Sequence, residues 1–121
     1  AREHLELVRT VYEPVPAGCP TVDAALDAFG LTERADAVPG TMSTGQRQRL
    51  SLAAALVRPS ELLLLDEPEH GLDADFRLRL AELLTGYTGR GGTVVMATHD
   101  HRLADAAAAR CFPLTPEVAS R

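Results

Sequence analysis

The stretch LLLLDEPEHGLD at residues 62–73 decides the fold. Four leucines that end at Asp66 are typical of a strand buried on both faces of a parallel sheet. In open parallel sheets, ligands bind beyond the carboxyl ends of the strands. Asp66 and Glu67 therefore stand where a carboxylate pair can serve chemistry, although a solvated acidic turn is the common alternative after a strand.

A helix and a second strand follow this stretch. Residues 75–85 predict an amphipathic helix that Gly86 closes,. Its inward side chains are expected to be Phe76, Leu80, Leu83 and Leu84. A glycine-rich loop at 89–92 leads to a strand at 93–98, which is rich in β-branched residues. Strand, helix and strand at this spacing indicate a βαβ unit with parallel strands and a right-handed crossover.

The second strand also ends in polar residues, Thr98-His99-Asp100. A lone histidine is most often an ordinary surface residue. At the end of a neighbouring parallel strand, however, His99 reaches the same rim as Asp66 and Glu67 and can donate to a phosphate oxygen. A helix over 102–109 and a short third strand over 111–114 complete this half.

The first half of the chain predicts helices. Leu5, Val8, Val11 and Tyr12 share one stripe of a helix over 2–12,. A proline-rich loop at 14–20 separates it from a helix over 21–29 that Thr21 caps and Gly30 ends. A short turn starts at Thr32, and residues 38–40 form another break.

A further helix opens at Ser43, which has Gln46 three residues later in a capping-box arrangement,. Its apolar face is expected to be Leu50, Ala53, Ala54 and Val57, and Pro59 lies just past its end. The free N–H groups and the dipole of a helix N-terminus favour an anion, and Gly45 lets a ligand come close to the backbone. A plain capping box explains Ser43 and Gln46 equally well without a ligand.

Composition narrows the possible partners. The chain has 121 residues, enough for one small domain, and a formal net charge of −5, so nucleic acid and anionic membrane surfaces are not expected to attract it,. Cys19 and Cys111 lie far apart without metal-ligand spacing and predict free thiols in a reducing compartment. No apolar run is long enough to cross a bilayer, so we expect a cytoplasmic protein.

Four motifs carry a family resemblance. MSTGQRQRL at 42–50 resembles the signature motif of the ATP-binding cassette (ABC) ATPases, and LLLLDEP at 62–68 resembles their Walker B strand. GLD at 71–73 resembles the D-loop, and ATHD at 97–100 resembles the H-loop. The order and spacing are those of the family. The opening AREHLEL is similar to the helical segment that follows the Q-loop, so the resemblance covers nearly the whole chain.

The resemblance implies an α/β fold, the P-loop NTPase fold of ABC ATPases, present in part. Residues 1–58 would be a portion of the helical signature subdomain, and residues 59–121 would be the C-terminal part of the RecA-like ATPase core. The phosphate-binding Walker A loop, GxxxxGK[ST], needs a lysine, and all 12 basic residues here are arginine,. We therefore expect this chain alone to be inactive, and the natural protein to be longer or to receive the missing strands from a partner.

The resemblance also implies residue roles. Asp66 would hold Mg²⁺, Glu67 would be the general base, and His99 would contact the γ-phosphate of ATP. The remaining nucleotide-binding residues would be Ser43, Thr44, Gly45, Gln46 and Asp73. The signature residues would meet ATP held by a second ATP-binding subunit in a head-to-tail dimer, and Asp73 would communicate across that dimer.

Four residues depart from the family pattern. Met42 replaces a leucine and Thr44 replaces a glycine, which are mild changes. Glu69 and His70 stand where the family commonly has Thr or Ser followed by a small or polar residue. We interpret both as surface loop residues.

The expected function is that of an ATP-hydrolysing subunit of an ABC transporter, bound to transmembrane subunits at the inner face of the membrane. One alternative is a non-catalytic module that lends its signature helix to a complete ATPase, although Glu67 and His99 would then be superfluous. Another is an ABC ATPase of chromosome maintenance, repair or translation, which the lack of heptads and the acidic charge disfavour. An unrelated α/β domain would need four ordered motif matches by chance.

Overall fold

The computed structural model describes residues 1–11, 20–58 and 60–112. The first part of the chain is helical, and the second part is a β-α-β-α arrangement. In chain order the elements are α1 (Arg2–Val11), α2 (Val22–Ala28), two 3₁₀ turns (Thr32–Arg34 and Pro39–Thr41), α3 (Thr44–Val57), β1 (Leu62–Asp66), α4 (Ala74–Gly89), β2 (Thr93–Ala97) and α5 (His101–Ala106).

The helices α1, α2 and α3 pack against one another around fully buried side chains. Those with 1% exposure or less include Leu5, Leu26, Phe29 and Leu31. The predicted cap of α2 is confirmed, because the Ala24 N–H donates to Thr21 Oγ1 over 3.1 Å. Gly30 follows with φ of +64°, a conformation that glycine adopts without strain,. Tyr12 and the proline-rich loop lie outside the described residues.

Two details of the helical half differ from prediction. The expected break at 38–40 is partly a 3₁₀ turn, since the fixed φ of Pro39 suits the first position of a short helix,. In α3 the buried residues are Leu50, Leu52, Ala53, Leu56 and Val57. Ala54, which was predicted to face inward, is only partly buried, because the packed stripe turns toward Leu52 and Leu56.

The sheet confirms the parallel βαβ prediction. Strands β1 and β2 pair in parallel from Leu62 opposite Thr93 to Asp66 opposite Ala97. The prediction of burial on both faces is wrong for the described residues. Leu63 is 1% exposed, whereas Leu62 and Leu64 are 49% and 68% exposed on the opposite face. The core cluster packs on the Leu63 side, and no described element covers the other side.

Helix α4 is longer than predicted. It continues past Gly86 to Gly89 because Tyr87 is a core residue, only 7% exposed, whose hydroxyl donates to the Ser60 carbonyl over 2.9 Å. Its buried residues are Leu80, Ala81, Leu84 and Tyr87, with Phe76 and Leu83 partly buried. The chain then turns at Gly91, where φ is +95°.

The last described segment is less regular than predicted. Helix α5 ends at Ala106 rather than Ala109. Ala108 follows with φ of +56°, which no helix accommodates,. Cys111 and Phe112 form no strand, and Pro113 and Leu114 lie outside the described residues. Cys111 is exposed with a free thiol, as predicted, and Cys19 lies outside the described residues. Among the described helices, none has the length and apolar character needed to cross a bilayer.

Candidate nucleotide site

The turn after β1 carries the predicted carboxylate pair. Asp66 is the last residue of the strand and is exposed at its carboxyl end. Glu67 follows in the left-handed region with φ of +46°, and its N–H donates to the Ala97 carbonyl of the neighbouring strand over 2.7 Å. Residues other than glycine adopt this backbone conformation at a cost of about 1–2 kcal/mol. Such strain persists where the surroundings enforce it, often at functional sites.

The two predicted catalytic side chains lie together. His99 Nε2 is 3.1 Å from Glu67 Oε1, within hydrogen-bond distance,. The two side chains are 90% and 49% exposed, respectively, so a ligand can reach them from solvent. The loops after the adjacent strands therefore bring together the Glu67 carboxylate, which can accept a proton, and the His99 imidazole, which can donate one.

Asp100 anchors the loop that carries His99. Its carboxylate caps α5 by accepting the Leu103 N–H over 3.1 Å and lies 3.1 Å from Arg77 Nη1 of α4. The Leu103 N–H is the main reason that the pKa of Asp100 is lowered, and Arg77 lowers it further,. Asp100 therefore stays ionised near neutral pH. An aspartate directly before a helix is the sequence signal of such a cap.

The interpretation of Glu69 as a surface loop residue is wrong. Its residue surface is only 8% exposed, and its Oε1 accepts a hydrogen bond from Thr98 Oγ1 over 2.7 Å. The physical reason is the turn at 67–70, which directs this side chain toward the end of β2. His70 is exposed, as predicted.

The signature segment begins α3 and is docked on the loop after β1. The capping box is complete, with Gln46 N–H donating to Ser43 Oγ over 3.1 Å and Ser43 N–H donating to Gln46 Oε1 over 3.0 Å. Both predicted ligand side chains are thus engaged within the helix, which is the arrangement that needs no ligand. The backbone of the helix N-terminus remains suited to an anion. Thr44 is exposed beside it.

Two contacts join the start of α3 to the loop after β1. A Cβ atom on Gly45 would lie 2.9 Å from the Gly71 carbonyl oxygen, so only glycine permits this approach,. Gln48 Nε2 donates to the Pro68 carbonyl over 3.0 Å. Gly45 was predicted to let a ligand approach the backbone, and no role was predicted for Gln48. The contact with Gly71 is a structural reason for glycine at position 45.

Asp73 caps α4. Its Oδ1 accepts the Phe76 N–H over 2.8 Å, and the residue is exposed. This local role explains an aspartate at the end of the GLD motif without reference to a second subunit.

The described residues offer Mg²⁺ a partial site. They contain no cluster of three or more His, Cys, Asp or Glu side chains that would hold a metal by themselves. Mg²⁺ is commonly held by one or two carboxylates while waters and substrate phosphates fill its other positions. An exposed Asp66 at the strand end fits that pattern and does not fit a cage built wholly from protein.

Comparison with known proteins defines the class of this protein. The family described as "AAA domain, putative AbiEii toxin, Type IV TA system" matches residues 8–105. That match spans most of the chain, including the signature segment, both strands and the loops that carry Glu67 and His99. The chain is therefore an AAA domain.

Relatives and solved structures narrow the family. The chain is 44% identical over 98 residues to the aliphatic sulfonates import ATP-binding protein SsuB 2 of Agrobacterium fabrum, covering 76% of this chain and 38% of that protein. It is 46% identical over 99 residues to SsuB 2 of Xanthomonas axonopodis pv. citri, covering 81% and 34%. A dimeric ATP-binding cassette, MJ0796, bound to ADP and Pi, superimposes with a TM-score of 0.70 at 29% identity, covering 85% of this chain and 48% of that one.

The chain belongs to the ATP-binding cassette family and corresponds to part of the ATP-binding domain of that family. This finding confirms the family and the fold class that the motifs predicted. The chain spans less than two fifths of the length of the curated relatives it matches, 38% and 34% in the two cases above.

Proposed function

We propose that the whole protein hydrolyses ATP and couples this reaction to transport across a membrane. The observation that carries the proposal is the contact between Glu67 and His99, which join at the ends of adjacent parallel strands with 3.1 Å between Oε1 and Nε2. The names of the relatives support the transport half of the proposal, since both are import ATP-binding proteins.

Each site residue then has a chemical role. Glu67 accepts a proton from the attacking water, and His99 donates a hydrogen bond to the γ-phosphate. Asp66 would hold Mg²⁺, which would neutralise developing charge on the phosphates when bound. The N-terminus of α3, with Ser43, Thr44, Gly45 and Gln46, would face the γ-phosphate of ATP on a second subunit.

The proposal extends to the assembly of the whole protein. A second ATP-binding subunit would join head to tail, with Asp73 at the contact, and transmembrane subunits would hold the pair at the inner face of the membrane. The dimeric state of the MJ0796 cassette supports the first part of this proposal. Residues 1–58 would form part of the helical signature subdomain, and residues 59–121 would form the C-terminal part of the ATPase core.

Replacing Glu67 tests the catalytic role. In the whole protein, Glu67→Gln should leave ATP binding intact and slow hydrolysis by about 10²–10⁴-fold, because the amide cannot accept the proton. Glu82→Gln, on an exposed position of α4, is the matched control and should hydrolyse ATP normally. Steady-state phosphate release and equilibrium ATP binding are the measurements. Unchanged turnover in Glu67→Gln would refute Glu67 as the general base, whereas no hydrolysis by the unsubstituted protein would favour the alternative, a module that lends its signature helix without catalysing.

A further inference from the structure

The buried carboxylate of Glu69 links the two loops that carry the catalytic pair. We propose that Glu69 is a positioning residue, which holds the loop of His99 against the turn of Glu67 through the hydroxyl of Thr98. The inference rests on the proposed function, because it concerns the same site, and it assigns a role to a residue that departs from the family pattern.

A hydrogen bond joins the side chains of Glu69 and Thr98. Glu69 is 8% exposed, and Thr98 Oγ1 lies 2.7 Å from its Oε1. A hydroxyl has one proton to donate. Since a carboxylate only accepts, Thr98 gives that proton to Glu69, and its oxygen is left to accept. The Asp100 N–H donates to that oxygen over 2.9 Å. One hydroxyl therefore fixes both a side chain of the preceding turn and the backbone beyond His99.

Few packing contacts hold the side chain of His99 in place. Its side chain is 90% exposed, so packing contributes little to its position. Apart from the contact with Glu67, the direction of the imidazole then depends on the backbone on both sides, at Thr98 and Asp100. Asp100 is fixed by its cap on α5 and by Arg77. Thr98 is fixed by Glu69, which supplies the other half of the support.

Glu69 and Glu67 belong to one turn of the backbone. Glu69 lies two residues after Glu67, beyond the buried Pro68. Backbone hydrogen bonds fold the intervening turn, from His70 N–H to the Glu67 carbonyl over 3.1 Å and from Leu72 N–H to the Glu69 carbonyl over 3.0 Å. The Glu69 side chain thus belongs to the same compact turn as the catalytic carboxylate. Its bond to Thr98 sets the distance between that turn and His99.

Three substitutions in the whole protein test the proposal through steady-state ATP hydrolysis. Glu69→Ala and Thr98→Val each break the link and should lower kcat by about ten- to a hundredfold, the range expected when catalytic groups are misplaced by about 1 Å. KM for ATP should stay within about twofold, since neither side chain contacts the nucleotide in the proposed site. Glu69→Gln keeps an acceptor oxygen and should recover most of the activity. Glu82→Ala is the control for removing an acidic side chain from the surface.

A double-mutant cycle separates positioning from general stabilisation. If Glu69 acts through Thr98, the double variant should be no slower than either single variant, because one link is lost in each case. Multiplying losses in kcat would overturn the proposal. Unchanged kcat in Thr98→Val would overturn it as well, even if Glu69→Ala fails to fold, because valine matches threonine in shape and removes the hydroxyl.

Parallel measurement of Glu67→Gln distinguishes the two failures. If Glu67→Gln is slow while Glu69→Ala and Thr98→Val are normal, the proposed function stands and the role of Glu69 is refuted. If Glu67→Gln itself turns over normally, the catalytic assignment fails, and the positioning role fails with it.

Discussion

At the residue scale, Glu67 has a backbone conformation that is unfavourable for a residue that carries a side chain. Its φ of +46° is a conformation that glycine adopts freely and other residues resist,. The turn is imposed by neighbours, since the Glu67 N–H donates to Ala97 and the following Pro68 is buried. The protein therefore holds a carboxylate at this point despite a local loss of stability, which is reasonable if the carboxylate performs chemistry.

This backbone strain predicts that the protein becomes more stable when the side chain of Glu67 is removed. Glu67→Gly should raise the free energy of unfolding by about 0.5–1 kcal/mol, after allowing for the greater entropy of glycine in the unfolded chain. The same substitution should abolish hydrolysis. Urea denaturation of the whole protein, combined with phosphate release, measures both effects.

Two control variants separate strain from chemistry. Glu67→Gln keeps the strained backbone and should leave stability unchanged. Ala108→Gly relieves a similar strain at φ of +56°, away from the catalytic pair, and should stabilise without affecting hydrolysis. Equal stability of Glu67→Gly and Glu67→Gln would show that the left-handed turn is not strained.

At the element scale, the end of α4 is fixed by one tyrosine. Tyr87 packs where the helix ends, and its hydroxyl reaches Ser60 just before β1. Gly92, just before β2, lies against its ring, so that a Cβ there would come within 2.3 Å of Tyr87 Cε1. The end of the helix and the residues just before both strands therefore share one tightly packed contact.

Gly92→Ala should disturb this contact and destabilise the protein by about 1–3 kcal/mol, the usual range for overpacking. Gly89→Ala is the matched control, because a Cβ at that position meets nothing within 4 Å and its φ is not positive. That control should be neutral or slightly stabilising. Urea denaturation midpoints of the two variants give the comparison, and similar midpoints would contradict the packing argument.

The sequence predicted those elements well whose structure depends on residues close together in the chain. The capping box at Ser43 and Gln46, the cap at Thr21 and the parallel βαβ unit are all confirmed, because each depends on residues close in sequence or on a general rule of topology. The length of α4 was missed because Tyr87 is held by Ser60, a contact that periodicity does not report. Glu69 was misread for the same reason, since its partner Thr98 is distant in sequence.

At the scale of the whole molecule, the sheet has one covered face and one exposed face among the described residues. Leu64 and Val95 are neighbours on the exposed face, at 68% and 56% exposure. Parallel sheets are almost always covered on both sides. The chain corresponds to 38% and 34% of the two SsuB relatives. We therefore expect other parts of the whole protein to cover this face.

A polar substitution tests this expectation. In the whole protein, Leu64→Asn should lower the free energy of unfolding by about 2 kcal/mol or more, because a leucine side chain would leave a buried site and an amide would enter it. Leu78→Asn is the control on the surface of α4, where the leucine is 54% exposed, and it should have little effect. Similar stability of the two variants, measured by thermal unfolding, would show that the face is open in the whole protein too.

The left-handed backbone at Glu67 has a consequence on the timescale of evolution. Random mutation would reach glycine at this position by a single codon change, and folding would favour the outcome. Under the proposed function, selection for a working carboxylate opposes that drift. Under the proposed function, a lineage that ceased to use ATP hydrolysis would thus be expected to lose Glu67 early.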